Sequence, residues 1–528
     1  GCGARRAAPR AAAGATTPAT TSSSGGGGAA SSAEGTPSYA VAVVGAGVSG
    51  LTAAFELQAK HGVAKGALLV TEARERVGGN ITTMSEGAYR WEEGPNSFQP
   101  GDAILSTACD VGLRDDILLA DPSSYRFALW DGQLRALPAT PADAVFGDFL
   151  SLPGKIRAGL GAIGIKPPPP DKEESVAEFV SRNLGDEAFQ RLIEPFCSGV
   201  YAGDPRQLSA TAATGRVQRL EPLGGSLVGG AIKAQKEAAD KKRSGETPPR
   251  DPRLPEVKGQ TVGSFRGGLQ RLPNALADAI GREQVRCSWE LQAIAKAQGG
   301  GYDLTYATPE GEQRVHAGTV LITAPAYTTA KLLEPLSGVA ADALSKFTYP
   351  CVCAVTVVYP RSAFREPEHG KGPVNGFGQL HPRREGIRTL GTIYSSSLFG
   401  EDRCPKDEVM LLHYIGGVQD PMLYSPTIAE LDGEQIAKIT HEDALKTLLK
   451  PGAAMPKVLG VRKWQQAIPQ FNVGHQKLLD QVARGLKEGG CDNILLGGNY
   501  TGGVALGRCV EFGQEKAAEV AEALKVSA

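Results

Sequence analysis

The chain has 528 residues, 41% of them hydrophobic and 21% charged, with a formal net charge of −1 at pH 7. This length implies two or three domains of ordinary globular composition. The near-zero charge excludes nucleic acid as a bulk electrostatic partner, because neutralising phosphates demands a basic excess.

No run of roughly eighteen apolar residues is present, so no segment reads as a membrane span. The seven histidines show no HExxH or other metal spacing, so no metal is expected. Nine cysteines, an odd number in a long chain, argue against a disulfide framework. Cys351 and Cys353 fall two apart on an alternating segment and so share a face. They read as buried reduced thiols, with a metal or redox pair as the alternative.

In chain order, residues 1–36 are rich in Ala, Ser, Thr and Gly, carry Arg5, Arg6 and Arg10, and have no acid before Glu34. Without an apolar core this is no secretory signal. It reads as an organellar transit peptide, plastid by its Ser/Thr/Ala richness, or as a plain disordered tail. Residues 39–44 (YAVAVV) then form a buried strand that runs into Gly45-Ala46-Gly47-Val48-Ser49-Gly50. Residues 48–60 continue as a helix and 67–71 as a second strand, ending at Glu72. The opening is therefore a βαβ unit.

In that context the G-x-G-x-x-G spacing points to a dinucleotide. Gly45 permits the tight turn, Gly47 lets the backbone approach a pyrophosphate, and Gly50 lets helix and strand pack closely. The helix N-terminus offers free N–H groups and a positive dipole end. Glu72 suits ribose hydroxyls and would repel a 2′-phosphate, which disfavours NADP.

Residues 142–165 are Gly-rich and apolar with Lys155 and Arg157 interspersed, which suits either a segment lying on a bilayer or a buried helix pair. Residues 176–196 read as one helix, and 240–259 as a charged, Pro-rich exposed loop. Residues 284–314 have hairpin character, and 319–323 form a buried strand ending at Ala324-Pro325. Residues 351–359 and 388–394 alternate as strands of a second sheet. A last buried strand at 493–496 precedes glycines and a helix to Leu524. No internal repeat is evident.

Glu72-Ala73-Arg74-Glu75-Arg76-Val77-Gly78-Gly79-Asn80 resembles the acid-then-R-x-G-G extension of glutathione-reductase-type flavoproteins. Trp91-Glu92-Glu93-Gly94-Pro95-Asn96-Ser97-Phe98 resembles the segment that passes the isoalloxazine ring in flavin amine oxidases. Phe265-Arg266-Gly267-Gly268-Leu269-Gln270-Arg271-Leu272 resembles that group's G-G-M/L-x-x-L, and residues 496–506 its C-terminal FAD motif. The resemblance implies FAD as cofactor. Its contacts would come from Gly45, Ala46, Gly47, Val48, Ser49, Gly50, Glu72, Ala73, Arg74, Gly78, Gly79, Gly94, Pro95, Asn96, Ser97 and Val285. Gly498, Asn499, Val504, Ala505 and Leu506 complete the set.

Longer stretches are similar to the protoporphyrinogen oxidase family in its plastid form: residues 194–205 (EPFCSGVYAGDP), 376–380 (GFGQL) and 389–396 (TLGTIYSS). That similarity implies an α/β fold in three parts. A discontinuous Rossmann-like FAD-binding domain takes residues 37–122, 256–330 and 485–528, and a mixed-sheet substrate domain takes 123–140 and 331–484. A helical membrane-binding insertion takes 141–255.

The implied reaction is a six-electron oxidation of protoporphyrinogen IX by O₂ in haem and chlorophyll synthesis, releasing hydrogen peroxide. Flavin N5 would accept hydride three times over. Arg126 would pair a propionate, Leu380 and Ile393 would sandwich a pyrrole, Tyr414 would stack, and Gly199 and Gly203 would admit close backbone approach. Without the resemblance, Arg126 is a solvated arginine and the others are core residues.

Ile393 departs from a frequent Leu, and Tyr414 from the Phe of mitochondrial forms, adding a hydroxyl that needs a partner if buried. No general base stands out; His413 points away from Tyr414 if they share a strand. Further implied partners are a thylakoid or envelope membrane surface of the chloroplast, a second copy of the chain and the next enzyme of the tetrapyrrole pathway. The rival functions are an amine or polyamine oxidase, a carotenoid desaturase, and a flavin-fold tetrapyrrole carrier without turnover.

Overall fold

The computed structural model describes residues 36–138, 143, 146–246, 249–366 and 374–527. The transit or tail segment at residues 1–35 lies outside them, as do residues 142, 144 and 145 of the apolar stretch.

The chain opens with β1 (Ser38–Val44), α1 (Val48–Ala59) and β2 (Leu68–Glu72), followed by the hairpin β3 (Thr83–Glu86) and β4 (Tyr89–Glu92). After β5 (Ile117–Leu119), β6 (Arg126–Trp130) and β7 (Gln133–Ala136) come helices α2 (Leu152–Ala162), α3 (Val176–Leu184), α4 (Glu194–Tyr201) and α5 (Leu227–Arg243). Next are β8 (Gly263–Phe265), α6 (Arg271–Ile280), β9 (Val285–Cys287), β10 (Glu290–Lys296), β11 (Tyr302–Thr308) and β12 (Gly311–Ile322). The remainder holds β13 (Val352–Pro360), β14 (Gly378–Leu380), β15 (Thr389–Ile393), β16 (Glu408–Gly416), α7 (Gly433–Thr447), β17 (Lys457–Trp464), β18 (Ile494–Leu496) and α8 (Leu506–Ser527).

Two seven-stranded sheets organise these elements. The first runs β10-β11-β12-β1-β2-β9, with β18 also beside β12. Its β9, β2, β1, β12 and β18 are mutually parallel. Alternate residues of β1 therefore enter different cores. Val41 and Val43 pack with α1, α6 and α8, while Ala42 and Val44 pack on the opposite face with Val320, Ile322 and Leu333. Burial on both faces explains why these strands read as continuous apolar runs.

The second sheet runs β17-β13-β16-β15-β14-β6-β7, antiparallel except for β14 with β6. One of its faces is covered by α7, through Cys353, Val355, Leu411 and Ile415 against Ile436, Ala437 and Ala444.

Two local expectations are corrected. The helix expected over residues 176–196 breaks at Gly185, whose φ of 90° no helix accommodates. A π-turn follows at Phe189–Ile193, and Pro195 sits in the first turn of α4, where its missing N–H costs nothing. The loop expected from residue 240 begins later, because α5 continues to Arg243. Lys241, Lys242 and Arg243 complement the negative end of that helix.

A buried ion cluster ties these helices together. Arg182 donates to both carboxylate oxygens of Glu174, at 2.7 and 2.5 Å, and to Glu221 at 2.8 and 2.9 Å; Lys166 also pairs with Glu221. The hydrogen bonds from Arg182 are the leading cause that pulls the Glu221 carboxyl from 4.5 down to about 2. A depressed carboxyl stabilises the fold above its ordinary range and loses that contribution as pH falls towards its folded value. Glu221→Gln should therefore lower the melting temperature at pH 7. It should also flatten the acid limb between about pH 4.5 and 2 relative to the parent. Parallel acid limbs in thermal melts would refute this role.

Candidate functional site

The glycine-rich turn sits at the carboxyl ends of β1 and β12, where connections leave the sheet in opposite directions. That is the point at which open α/β sheets bind ligands. Gly45 has φ 108°, and a Cβ there would lie 2.6 Å from Thr323 Oγ1. A Cβ on Gly50 would overlap the Gly45 carbonyl oxygen, whereas one on Gly47 would meet nothing within 4 Å. Gly47 thus faces an open cradle, and its neighbours are closed by packing.

The cleft around this turn has a volume of about 380 Å³. Of the residues expected at the cofactor, Gly45, Gly47, Val48, Ser49, Glu72, Ala73, Arg74, Gly78, Gly79, Pro95, Gly498, Asn499, Val504 and Leu506 line it. Ala46, Gly50, Gly94, Asn96, Ser97 and Ala505 belong to the same turns without lining the cavity. Val285 is different: it pairs with Val70 on β9 and packs in the core beneath α6, and the wall there is Trp289, Glu290 and Leu291 instead. Thr323, Ala324, Pro325, Tyr327 and Thr328 form a further stretch of wall that the motifs missed. Its signal was present in the buried strand ending at Ala324-Pro325, once that strand is placed beside β1.

Glu72 braces the turn, accepting from the Ala46 N–H and the Arg74 N–H at 3.0 Å each. Ser49 Oγ donates to the Cys509 carbonyl at 3.0 Å, joining α1 to α8. A Cβ-free cradle at a helix N-terminus, with a carboxylate at the end of the next strand, fits a dinucleotide such as FAD. The wall nearest the second sheet is tied to it by two bonds. Tyr414 donates to the Gly94 carbonyl and Trp464 Nε1 to the Glu93 carbonyl, both at 2.7 Å.

Strand register gathers the residues expected at the substrate. Gly378 pairs with both Arg126 and Ile393, Leu380 with Gly391, and Gly391 with Tyr414. Paired residues share a face, so Arg126, Leu380, Ile393 and Tyr414 lie together across β6, β14, β15 and β16, opposite α7. The Tyr414 hydroxyl has its partner in Gly94.

Leu380 lies between two glycines. A Cβ on Gly391 would sit 3.1 Å from its Cδ2, and one on Gly199 would overlap it. Gly199, expected to admit flavin or tetrapyrrole, therefore makes room for Leu380. Gly203 makes room for Gln470 and Leu208, whose Oε1 and Cδ1 would lie 2.5 and 3.0 Å from a Cβ there.

Arg126 is half-buried, and its guanidinium lies over the Phe377 ring at 5.2 Å. Burial lowers its pKa, and among the described residues no carboxylate lies within ion-pair distance of it. His413 points to the opposite face. It pairs with Thr392 Oγ1 at 2.8 Å, and burial pushes its pKa down to about 3, so it stays neutral and cannot serve the substrate face. Cys353 is buried in the core under α7, its thiol pushed up to about 12 by burial, and the described cysteines are all free.

Residues 48–521 match the family model described as flavin containing amine oxidoreductase. A chloroplastic protoporphyrinogen oxidase of Nicotiana tabacum is 52% identical over 478 residues, covering 90% of this chain and 84% of that protein. One of Oryza sativa subsp. japonica is 54% identical over 484 residues, covering 91% and 88%. The fold is shared with a crystal structure of a protein from Exiguobacterium sp. 255-15, at a TM-score of 0.72 and 22% identity over 93% of this chain and 100% of that one. Two glycine-braced cleft walls and an adjacent aliphatic face thus belong to an FAD-dependent oxidoreductase, and the chain is a member of the flavin-containing amine oxidoreductase family and, within it, of the protoporphyrinogen oxidases.

Proposed function

We infer that the chain oxidises protoporphyrinogen IX to protoporphyrin IX, with O₂ as the terminal acceptor, in tetrapyrrole biosynthesis of the plastid. The observation that carries this is Arg126: a half-buried cation with no carboxylate in ion-pair reach among the described residues, at one end of an aliphatic and aromatic face. A broad apolar ring bearing propionates satisfies both features, because burial beside a guanidinium fork favours a carboxylate. An amine substrate, cationic at neutral pH, would be repelled by the same residue.

The bound FAD supplies the two-electron acceptance each oxidation cycle needs. The glycine cradle and Glu72 hold it, and Tyr414 and Trp464 fix the segment between it and the substrate face. Leu380, Ile393 and Tyr414 orient the ring and exclude water. We place FAD binding in residues 37–122, 256–330 and 485–528, and substrate binding in 123–140 and 331–484.

The helices between β7 and β8 form the surface we assign to the thylakoid or envelope membrane. Phe146, Leu152, Ile156, Ile163 and Ile165 are each more than half exposed there, which suits shallow insertion into a bilayer interface. Among the described residues no helix is long and apolar enough to cross a membrane.

Anaerobic titration of the FAD-loaded protein with protoporphyrinogen IX tests the reaction: the flavin absorbance should bleach, and porphyrin fluorescence should appear once air is admitted. A flavin that stays oxidised would leave only a carrier, and bleaching by spermine alone would favour an amine oxidase. Arg126→Ala should raise KM by roughly 10- to 100-fold, the worth of a charge-assisted hydrogen bond, with FAD content unchanged. Loss of FAD in that variant would refute the propionate role.

A further inference from the structure

Arg126 is held by a residue that belongs to none of the motifs. Its Nη1 donates to Gln260 Oε1 at 3.3 Å and its Nη2 to the Gln260 backbone carbonyl at 3.2 Å. The Phe377 ring fixes the plane of the guanidinium; Gln260 fixes its rotation within that plane. Gln260 is itself set on firm ground. Gly259 before it takes φ 58°. Thr261 after it donates through Oγ1 to the Ala120 carbonyl, and the Ala120 N–H donates to Val262 at 2.9 Å.

We propose that Gln260 is a positioning residue for the substrate carboxylate, aiming the Arg126 fork and adding an amide donor beside it. The proposal rests on the assignment of Arg126 to a propionate. A guanidinium has five N–H donors, and Gln260 engages one on each terminal nitrogen, leaving Nε–H and the others for an incoming carboxylate. The Gln260 Nε2 group cannot donate to a cation and so is kept for an acceptor, the anionic oxygen that Arg126 attracts. The residue type matters. A glutamate here would satisfy Arg126 internally and cancel its charge, whereas a neutral amide orients the cation and leaves its charge for the substrate.

Gln260→Glu and Gln260→Ala, made in the full chain and assayed as FAD-loaded protein beside Arg126→Ala, test this with two substrates: protoporphyrinogen IX and its dimethyl ester. Gln260→Glu should raise KM for the free acid by roughly 10- to 100-fold, the worth of a charge-assisted hydrogen bond. Gln260→Ala should raise it by about 3- to 10-fold, in line with a neutral bond. KM for the diester should not move, and neither should FAD content. Equal KM changes for acid and diester would reduce Gln260 to a packing residue and overturn the proposal. Unchanged KM in both Gln260 variants, with a raised KM in Arg126→Ala, would overturn it while leaving the propionate assignment standing. An unchanged KM in Arg126→Ala as well would remove that assignment itself.

Discussion

Gly50→Ala is expected to yield a destabilised protein with little bound FAD, whereas Gly47→Ala should fold as stably as the parent and bind FAD more weakly. The two glycines lie in one turn but face opposite surroundings. At Gly50 a methyl would overlap the carbonyl oxygen of Gly45, a backbone atom that cannot swing aside. Relief requires α1 to lift from β1, and α1 is the helix packed against both α6 and α8. Overpacking of this kind costs about 1–3 kcal/mol and more when backbone must move. Displacing the helix N-terminus also removes the donors a pyrophosphate needs.

At Gly47 the backbone has φ −70° and ψ 172°, which alanine adopts without strain, and its methyl would enter empty space. The cofactor-free melting temperature should therefore stay within the equivalent of about 0.5 kcal/mol. The methyl occupies the cradle itself, so the FAD dissociation constant should rise by roughly tenfold or more. Flavin-to-protein ratios, flavin fluorescence titrations and melts with and without FAD separate the two outcomes. Full FAD retention in Gly47→Ala would mean that the open face of the turn is not where the pyrophosphate lies.

That contrast also marks what was readable in the linear chain. The turn, α1 and β2 are contiguous, and their spacing is dictated by local periodicity, so the cradle could be located from residues 39–72 alone. The substrate face is of another kind. Arg126, Leu380, Ile393 and Tyr414 meet only because β14 pairs parallel with β6 and antiparallel with β15. Register between distant strands leaves no periodic trace, and family resemblance was the only guide to those four.

Trp289 and Tyr327 were missed for the same reason: each follows a strand whose neighbour lies far away in sequence. Val285 shows the same limit on a single strand, since alternate side chains take opposite faces and its own packs into the core while Trp289 onwards lines the cleft. Tyr414 shows the limit most directly. Its hydroxyl demanded a partner on general grounds, but only the folded chain shows that the partner is the carbonyl of Gly94.

The least readable feature is a buried ion network that gathers segments distant in sequence. Arg403, with no exposed surface, donates to Ser264 Oγ at 2.7 Å and pairs with Asp402 and, at 3.7 Å, with Glu92. Glu92 accepts from the Leu269 N–H at 2.9 Å and from Thr83 Oγ1 at 2.8 Å; Asp402 accepts from Arg90 at 2.8 Å. The cluster thus joins β4 and the segment after β8 to the loop before β16.

Burial is the leading cause of both shifts, pushing the Glu92 carboxyl up to about 7 and the Arg403 guanidinium down. Desolvation rivals attraction here, so the pair contributes little net stability while each partner depends on the other. Arg403→Met should therefore cost about 3–5 kcal/mol, and Glu92→Met combined with Arg403→Met should recover most of it.

The pH dependence separates charge from packing. Without Arg403, whose charge lowers it, the Glu92 carboxyl rises further above its ordinary 4.5. A raised carboxyl stays protonated in the fold while the unfolded chain ionises, so stability falls as pH climbs from 4.5 through the folded value. With the parent's Glu92 already raised to about 7, both proteins lose stability alike from pH 4.5 to 7, so the deficit of Arg403→Met should stay level up to about pH 7 and grow above it. A deficit that stays constant above about pH 7 as well would place the loss in the stacking of Arg403 on Phe399, at 4.9 Å, and not in the stranded carboxylate.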